Sequence, residues 1–521
     1  MLVLAIAGVA GCSSSSSQSA VDAPPSSQVD GPPTGGTPDA AVPTIDAAPI
    51  DGPQLTDPVT SSSIFETSGP IAVAVDPAGT PVIAGGLDLT TNFGGTTLAP
   101  DHTQTSGSKD IFAGKLSGGT ATWAKKYGDP VDQYASTVAV NADGLVLLAG
   151  PFSGTMTYRS DMPPLMTTQD TGVAFAMAVD GASGDAAWAS LVKLGVDLGG
   201  TILAVAPDGA GGGFVLAGYA TDAASFGTFT GQPGGGEDIF VAKVRGGTTF
   251  DLAWARQIGG AGDSGATAVA VDSAGNVFLA GYYKGTLDFG NGALPEPSGN
   301  RALFVAKLAA ADGAVMAAVG IGTTGAGNHQ ANSIAVDSNG NVILGGQIRG
   351  ADVAFDPDPQ FTLSPRFVDG FVAKLEPDLG HAKWTRRIGD SDAAALLTQR
   401  VLGVALDGSG DVVAVGSFQG TVDFGLALPI AVAGASTGRD AFAVKLAGAS
   451  GLPVWVRTTN GAGDEAATGV AVAGNGTVWV TGTFLGDTTP PIANWGTTLA
   501  TEMIFPLDTR TTHTYLVGLK P

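Results

Sequence analysis

The chain has 521 residues, 24 of them Lys or Arg and 47 Asp or Glu, for a formal net charge of −23. That balance repels polyanions, and the first basic residue is Lys109, so nucleic acid is excluded as a partner. Apolar residues reach 44%, yet no uninterrupted run is long enough to span a bilayer as a helix, which excludes a polytopic helical membrane protein.

Residues 1–11 are apolar and small, and they lead into Cys12, the single cysteine. This is the layout of an export signal. Val9-Ala10-Gly11-Cys12 resembles the bacterial lipobox, which implies cleavage before Cys12 and lipid on that residue. The expected product is an exported lipoprotein of the cell envelope, held at the outer membrane or cell surface by its lipid alone. Residues 12–60 read as a disordered tether. Ser13 to Ser17 is unbroken serine, Pro pairs stand at Pro24-Pro25 and Pro32-Pro33, and no Lys, Arg or aromatic residue follows Cys12 up to Thr60. Such a stretch cannot bury enough surface to fold, and proline with spaced acids keeps it extended.

From residue 61 to 521 one pattern recurs: an Ala/Val run, an Asp-x-x-Gly turn, a second apolar run ending in Gly, a variable loop, an Ile-Phe-Val-Ala-Lys-Leu-like run, then Trp-Ala. The first run closes at Asp76, Asn141, Pro207, Asp272, Asp337, Asp407 and Ala473, at steps of 65, 66, 65, 65, 70 and 66 residues. That makes seven copies. In the fourth the runs are Ala266 to Asp272, Asn276 to Tyr282, Ala302 to Leu308 and Ala314 to Ile321. Each is short, rich in β-branched and aromatic residues and bounded by turn formers, which predicts four antiparallel strands and leaves no room for helices. One such sheet cannot cover both of its apolar faces, so the copies must stack, and radial stacking gives an all-β, seven-bladed β-propeller. Small-residue first strands such as Ile71-Ala72-Val73-Ala74-Val75 suit the crowded centre. Last strands bearing Trp123, Trp188, Trp254, Trp384 and Trp455 suit the wide rim.

The seventh copy stops at Tyr515-Leu516-Val517-Gly518-Leu519, its third strand, while Ser61 to Glu66 occupies the slot of a fourth strand ahead of the first copy. The N-terminal strand near Ile64-Phe65 is therefore expected to complete the last blade and remove an open edge. Gly260 to Val277 and Asp238 to Lys243 resemble the bacterial seven-bladed β-propeller repeat (SBBP) of secreted and surface proteins, from about Ile64 to Leu519. The resemblance implies an exported propeller of unassigned activity and carries over no catalytic residues.

Loops joining one copy to the next bear Asp129, Asp132, Asp197, Asp263, Asp390, Asp392, Asp464 and Glu465. On one face of a propeller these acids could attract a cation such as Ca²⁺ or a basic partner, although none forms a dense Asp-x-Asp-x-Asp-Gly loop and each also suits an ordinary turn. Asp356-Pro357-Asp358 reads as a rigid loop. Asp288-Phe289-Gly290 and Asp423-Phe424-Gly425 spell a kinase tripeptide, but Asn92-Phe93-Gly94 and Ser225-Phe226-Gly227 fill the same slot, so the match is repeat grammar. Lys115, Lys243, Lys307, Lys374 and Lys445 recur in the third strand and share one local role, with the stem on apolar surface and the ammonium at the rim. His102, His329, His381 and His513 show no paired zinc spacing. Gly434-Ala435-Ser436-Thr437-Gly438 lacks the strand-to-helix elbow of a serine hydrolase.

No cofactor is implied, and no residue set with convergent acid, base and metal roles stands out. The expected function is that of a monomeric binding or scaffold module whose variable loops contact an envelope or extracellular protein or a glycan. A propeller enzyme of lyase, lactonase or quinoprotein-like type using the axial channel, and a passive structural coat, are the alternatives.

Overall fold

In a computed structural model seven four-stranded antiparallel meanders follow one another along the chain. The residues described are 59–65, 71–101, 109–129, 131–167, 172–195, 199–209, 211–390, 397–424, 438–459, 463–485, 495 and 512–520. All lie in the unit Leu55–Pro521, and the unit Met1–Gln54 falls outside them, as do Cys12, Asp197, Asp392, His102 and Ser436. The fourth blade is Ser264–Val271, Val277–Tyr283, Ala302–Leu308 and Val315–Ile321, within two residues of the boundaries expected from pattern. Its first hairpin turns at Gly275, which has φ +82°, a conformation open to glycine. The Asp272 carboxylate accepts the Ala274 and Asn276 N–H groups there.

The inner strands are Ala72–Val75, Thr137–Val140, Thr201–Pro207, Ser264–Val271, Gln330–Val336, Arg400–Leu406 and Glu465–Val472. Each touches the next, and Glu465–Val472 touches Ala72–Val75, so the ring closes at seven. Val59–Phe65 pairs antiparallel with Thr512–Leu519, matching Ser62 to Val517 and Ile64 to Tyr515. The last blade thus takes its outer strand from the other end of the propeller sequence.

Two devices hold neighbouring blades together. The Phe of the Asp-Phe-Gly slot is buried and packs on the Phe of the third strand in its own blade: Phe93 on Phe112, Phe226 on Phe240, Phe289 on Phe304, Phe355 on Phe371 and Phe424 on Phe442, at centroid separations of 6.0, 6.3, 5.4, 5.1 and 5.2 Å. Residues beside this Phe fold over the outer strand of the preceding blade. Ser225–Phe226 extends the second blade by pairing with Val192 and Lys193, and Val422–Asp423 extends the fifth by pairing with Gly389 and Asp390. The tripeptide is therefore a packing clamp; each such ring removes enough apolar surface to contribute roughly 1.5–3 kcal/mol.

The second device lies at the opposite end of the blades, where first strands turn into second and third into fourth. Trp123, Trp254 and Trp384 donate Nε1–H to the carbonyls of Gly181, Ala310 and Gly448 in the next blade. Their rings lie on Gly184, Gly313 and Gly451, where an added Cβ would meet the indole at 2.6, 2.8 and 2.5 Å. The repeated lysines join this device and do not reach a rim. Lys115, Lys243, Lys307, Lys374 and Lys445 pair within their own blades with Asp76, Asp208, Asp272, Asp337 and Asp407, at 2.6, 3.0, 3.7, 2.9 and 2.8 Å. In the third blade the turn acid is thus Asp208, one residue beyond Pro207. An ammonium this far from water needs a carboxylate close by, and the turn that shapes the hairpin supplies one.

Candidate functional site

The axial wall is uniform at the three levels nearest the turn end. Inner strands carry Ala139-Val140, Val269-Ala270-Val271 and Val404-Ala405-Leu406 at corresponding levels. The last level at the loop end, where one blade leads into the next, differs in kind from blade to blade. There Thr201 stands opposite Tyr219, Gly265 opposite Tyr282, Gln330 opposite Gln347, Arg400 opposite Ser417 and Ala466 opposite Thr483. Tyr134 enters the second blade at this level, with its carbonyl against Gly150. Identical backbone sites need no such variety for folding, so this level is free to serve a ligand.

On one side of the mouth phenols gather. Tyr282 lies across Gly265, whose missing side chain makes room for it: an added Cβ would sit 2.9 Å from the hydroxyl. The Tyr282 hydroxyl donates to Glu237 Oε2 at 2.5 Å, and the Arg301 guanidinium stacks on its ring at 4.1 Å. Lys109 Nζ stands 5.2 Å from the centre of the Tyr134 ring. Burial raises the Tyr219 phenol above its usual range, and Glu237 and Tyr134 add to the shift, which brings these groups into one electrostatic neighbourhood.

Across the mouth stands Arg400, half-buried. Burial lowers its pKa from the usual guanidinium range, and the charge acting on it is another guanidinium, Arg439. Arg439 itself pairs with Asp464 at 3.1 Å. The Nε of Arg400 is buried and has no hydrogen-bond partner among the described residues.

The loop acids singled out from sequence do not converge. Asp129 accepts from Gln133 Nε2 at 2.7 Å and from the Thr155 N–H at 2.9 Å. Asp132 accepts the Lys109 N–H, Asp263 the Glu237 N–H and Asp464 the Arg439 N–H. Asp390 and Glu465 are buried, the latter receiving the Thr459 hydroxyl at 3.3 Å. Asp356 accepts the Asp358 and Ala382 N–H groups, and Asp358 caps a short 3₁₀ turn, Pro359–Phe361, as a rigid loop would. No three His, Cys, Asp or Glu side chains among the described residues form a group that could hold a metal ion. A cleft of about 580 Å³ opens between the fifth and sixth blades at the turn end, but its acids Asp337 and Asp407 are committed to Lys374 and Lys445.

Sequence reasoning passed over Tyr134, Tyr219, Tyr282 and Arg400 because it searched for acids and histidines. It also missed the buried Asp110, Asp238 and Asp369 that open third strands. These fix the adjoining loops, as when Asp238 accepts from the Gly234 N–H and from Gln257 Nε2. The available signal was position: in superimposed repeats, the level that varies differs in kind from the levels that do not.

Residues 253–282 match the β-propeller repeat family, SBBP. No curated protein matches the chain. Among solved structures, the chain is similar to the Dos1 propeller at 11% identity and TM-score 0.41, covering 88% of this chain and 94% of that one. It is similar to the WD40 β-propeller domain of Doa1 at 11% identity and TM-score 0.38, covering 81% and 92%. Quinohemoprotein alcohol dehydrogenase from Comamonas testosteroni aligns at 12% identity and TM-score 0.38, covering 88% of this chain and 76% of that enzyme.

Proposed function

We propose that the chain is an exported lipoprotein whose propeller binds an envelope or extracellular partner with the loop end of its axial channel, and that it performs no chemistry there. The observation that carries this reading is the mouth level itself, whose pairs differ in kind among the described blades while the three levels nearest the turn end stay small and apolar. Partly exposed Tyr134 and Tyr219, beside a Tyr282 buried and held by Glu237 and Arg301, suit recognition, because tyrosines offer large contact area at little cost in side-chain freedom. The Ser- and Pro-rich stretch after Cys12 would hold this face clear of a membrane.

Immobilised full-length protein should retain a component of an envelope extract that a Tyr134→Ala/Tyr219→Ala variant of unchanged melting temperature releases. Equal retention by both, or by neither, would end the reading. Cys12→Ser should move the protein from the membrane to the soluble fraction, and continued membrane association would remove the lipid anchor from the proposal.

A further inference from the structure

We propose that the ligand of this mouth is a carboxylate-bearing saccharide, its acidic group held by Arg400 and its sugar face by the tyrosines opposite. The inference rests on the loop end being the binding face.

Arg400 supplies the first half of the argument. It forms no ion pair among the described residues, the charge it feels is Arg439, and, unlike the other described arginines, its Nε is buried without a partner. Keeping an uncompensated guanidinium partly out of water is costly. That cost is recovered when an anion arrives, and the planar fork of arginine matches a carboxylate in bidentate fashion. Arg439 is already engaged by Asp464, and Glu237 stands at the same mouth. A guanidinium with a buried, unpartnered Nε on one side of the mouth and the Glu237 carboxylate on the other suit a single acidic group per residue and disfavour a densely sulfated or phosphorylated polymer.

The opposite side supplies the second half. Tyr134 and Tyr219, both partly exposed, present rings with an apolar face and a polar edge, and Gln330 and Gln347 present amides that both donate and accept. A sugar ring combines C–H faces with hydroxyls that need both roles. A protein partner would instead need an apolar anchor, and the exposed large apolar residues, Val131, Met162, Met166, Met316, Leu452 and Val454, lie outside this level.

The test is calorimetric titration of the full-length chain with oligogalacturonate, oligoglucuronate and oligomannuronate, each beside its methyl ester, and with dextran sulfate. At least one uronate should bind, with its ester at least tenfold weaker. Arg400→Gln should lower affinity for the acid about tenfold and leave the ester unchanged, and Tyr219→Ala should weaken both. If Arg400→Gln does not fold, Arg400→Lys keeps the charge, loses the fork and should cost severalfold. Binding of no uronate, equal binding of acid and ester, an unaffected Arg400→Gln, or tightest binding of dextran sulfate would each overturn the proposal. Should the envelope component still be retained in a Tyr134- and Tyr219-dependent way while every uronate fails, the binding face stands and only the ligand class falls.

Discussion

The indole of Trp384 donates to the carbonyl of Gly448, one blade further on, at 3.1 Å, and Lys374 Nζ donates to the same oxygen at 2.9 Å. Trp455 stands in the corresponding position of the sixth blade, and its Nε1 has no partner among the described residues. The difference follows from topology. The seventh blade receives its fourth strand from Val59–Phe65, so no third-to-fourth-strand turn exists there to offer a carbonyl. Trp384→Phe should therefore lose a buried hydrogen bond and some ring volume, costing about 1–2 kcal/mol, while Trp455→Phe should cost distinctly less. Denaturant unfolding of the two variants compares them directly, and equal losses would show that the interblade hydrogen bond adds nothing.

The lysine–aspartate pairs differ from surface pairs in burial. Lys374 and Asp337 side chains are 8% and 7% exposed, against 43% and 71% for Lys125 and Asp185. Removing one partner of a buried pair strands the other, so Asp337→Asn should cost roughly 2–4 kcal/mol, and Asp185→Asn well under 1 kcal/mol. Burial alone would raise the Asp337 pKa, but Asn341, Lys374 and backbone N–H groups more than offset it, and the native value lies below 3.8. The sign follows: the pair's stabilisation is complete above the unfolded-state pKa near 3.8 and is lost as pH falls through the lower native value. Wild type should shed stability below about pH 4 more steeply than Asp337→Asn; parallel acid curves would contradict this.

Ring closure depends on a strand separated by more than 440 residues from its partner, since Ser63 pairs with Leu516. Neighbouring residues of a strand point their N–H groups in opposite directions, so one of Ser62 and Ser63 donates to the ladder with Val517 and Leu516. Replacing both by proline removes that donor whichever it is. The variant should melt several degrees lower and, with Thr512–Leu519 left as an open edge, associate in size-exclusion chromatography. An unchanged melting temperature would show that the closing strand is dispensable.

Seven units, their strands and the closing segment at Ile64-Phe65 were legible because each follows from short-range pattern: alternation, turn residues and a constant step. The clamps were not, because they join unlike positions in successive copies. Nothing local to Trp123 announces that its partner is the Gly181 carbonyl, and Lys115 reads as a rim residue until Asp76 closes on it. The surroundings of the loop acids were hidden for a related reason. Asp129 is an acid in the right place, but its oxygens are occupied by Gln133 and the Thr155 N–H, and such local saturation is invisible in composition. Arg400 was passed over because one basic residue in an inner strand carries no motif; what distinguishes it is a buried Nε without a partner among the described residues.

His329 offers a separate check on how tightly the fourth and fifth blades join. Its ring is fully buried where the loop leaving the fourth blade meets the inner strand of the fifth, packed against Gly322 and Gly327. Its Nδ1 accepts the Arg349 N–H at 3.3 Å, its backbone N–H donates to the Arg301 carbonyl at 3.1 Å, and its Nε2 is buried without a partner among the described residues. Burial lowers its pKa from 6.5 to about 4. A histidine that stays neutral when folded binds its proton first in the unfolded chain. Its contribution is therefore complete above pH 6.5 and declines as pH falls towards 4, by about 3 kcal/mol at most. His329→Phe keeps an aromatic ring in the site and removes the titration. At neutral pH it should be less stable than wild type, through the lost acceptor for Arg349. Between pH 6.5 and 4 its stability should fall less steeply, by the equivalent of one proton. If urea midpoints of the two proteins run parallel through that window, His329 is not the group that takes up the proton, and the joint at Arg349 owes nothing to its neutral ring.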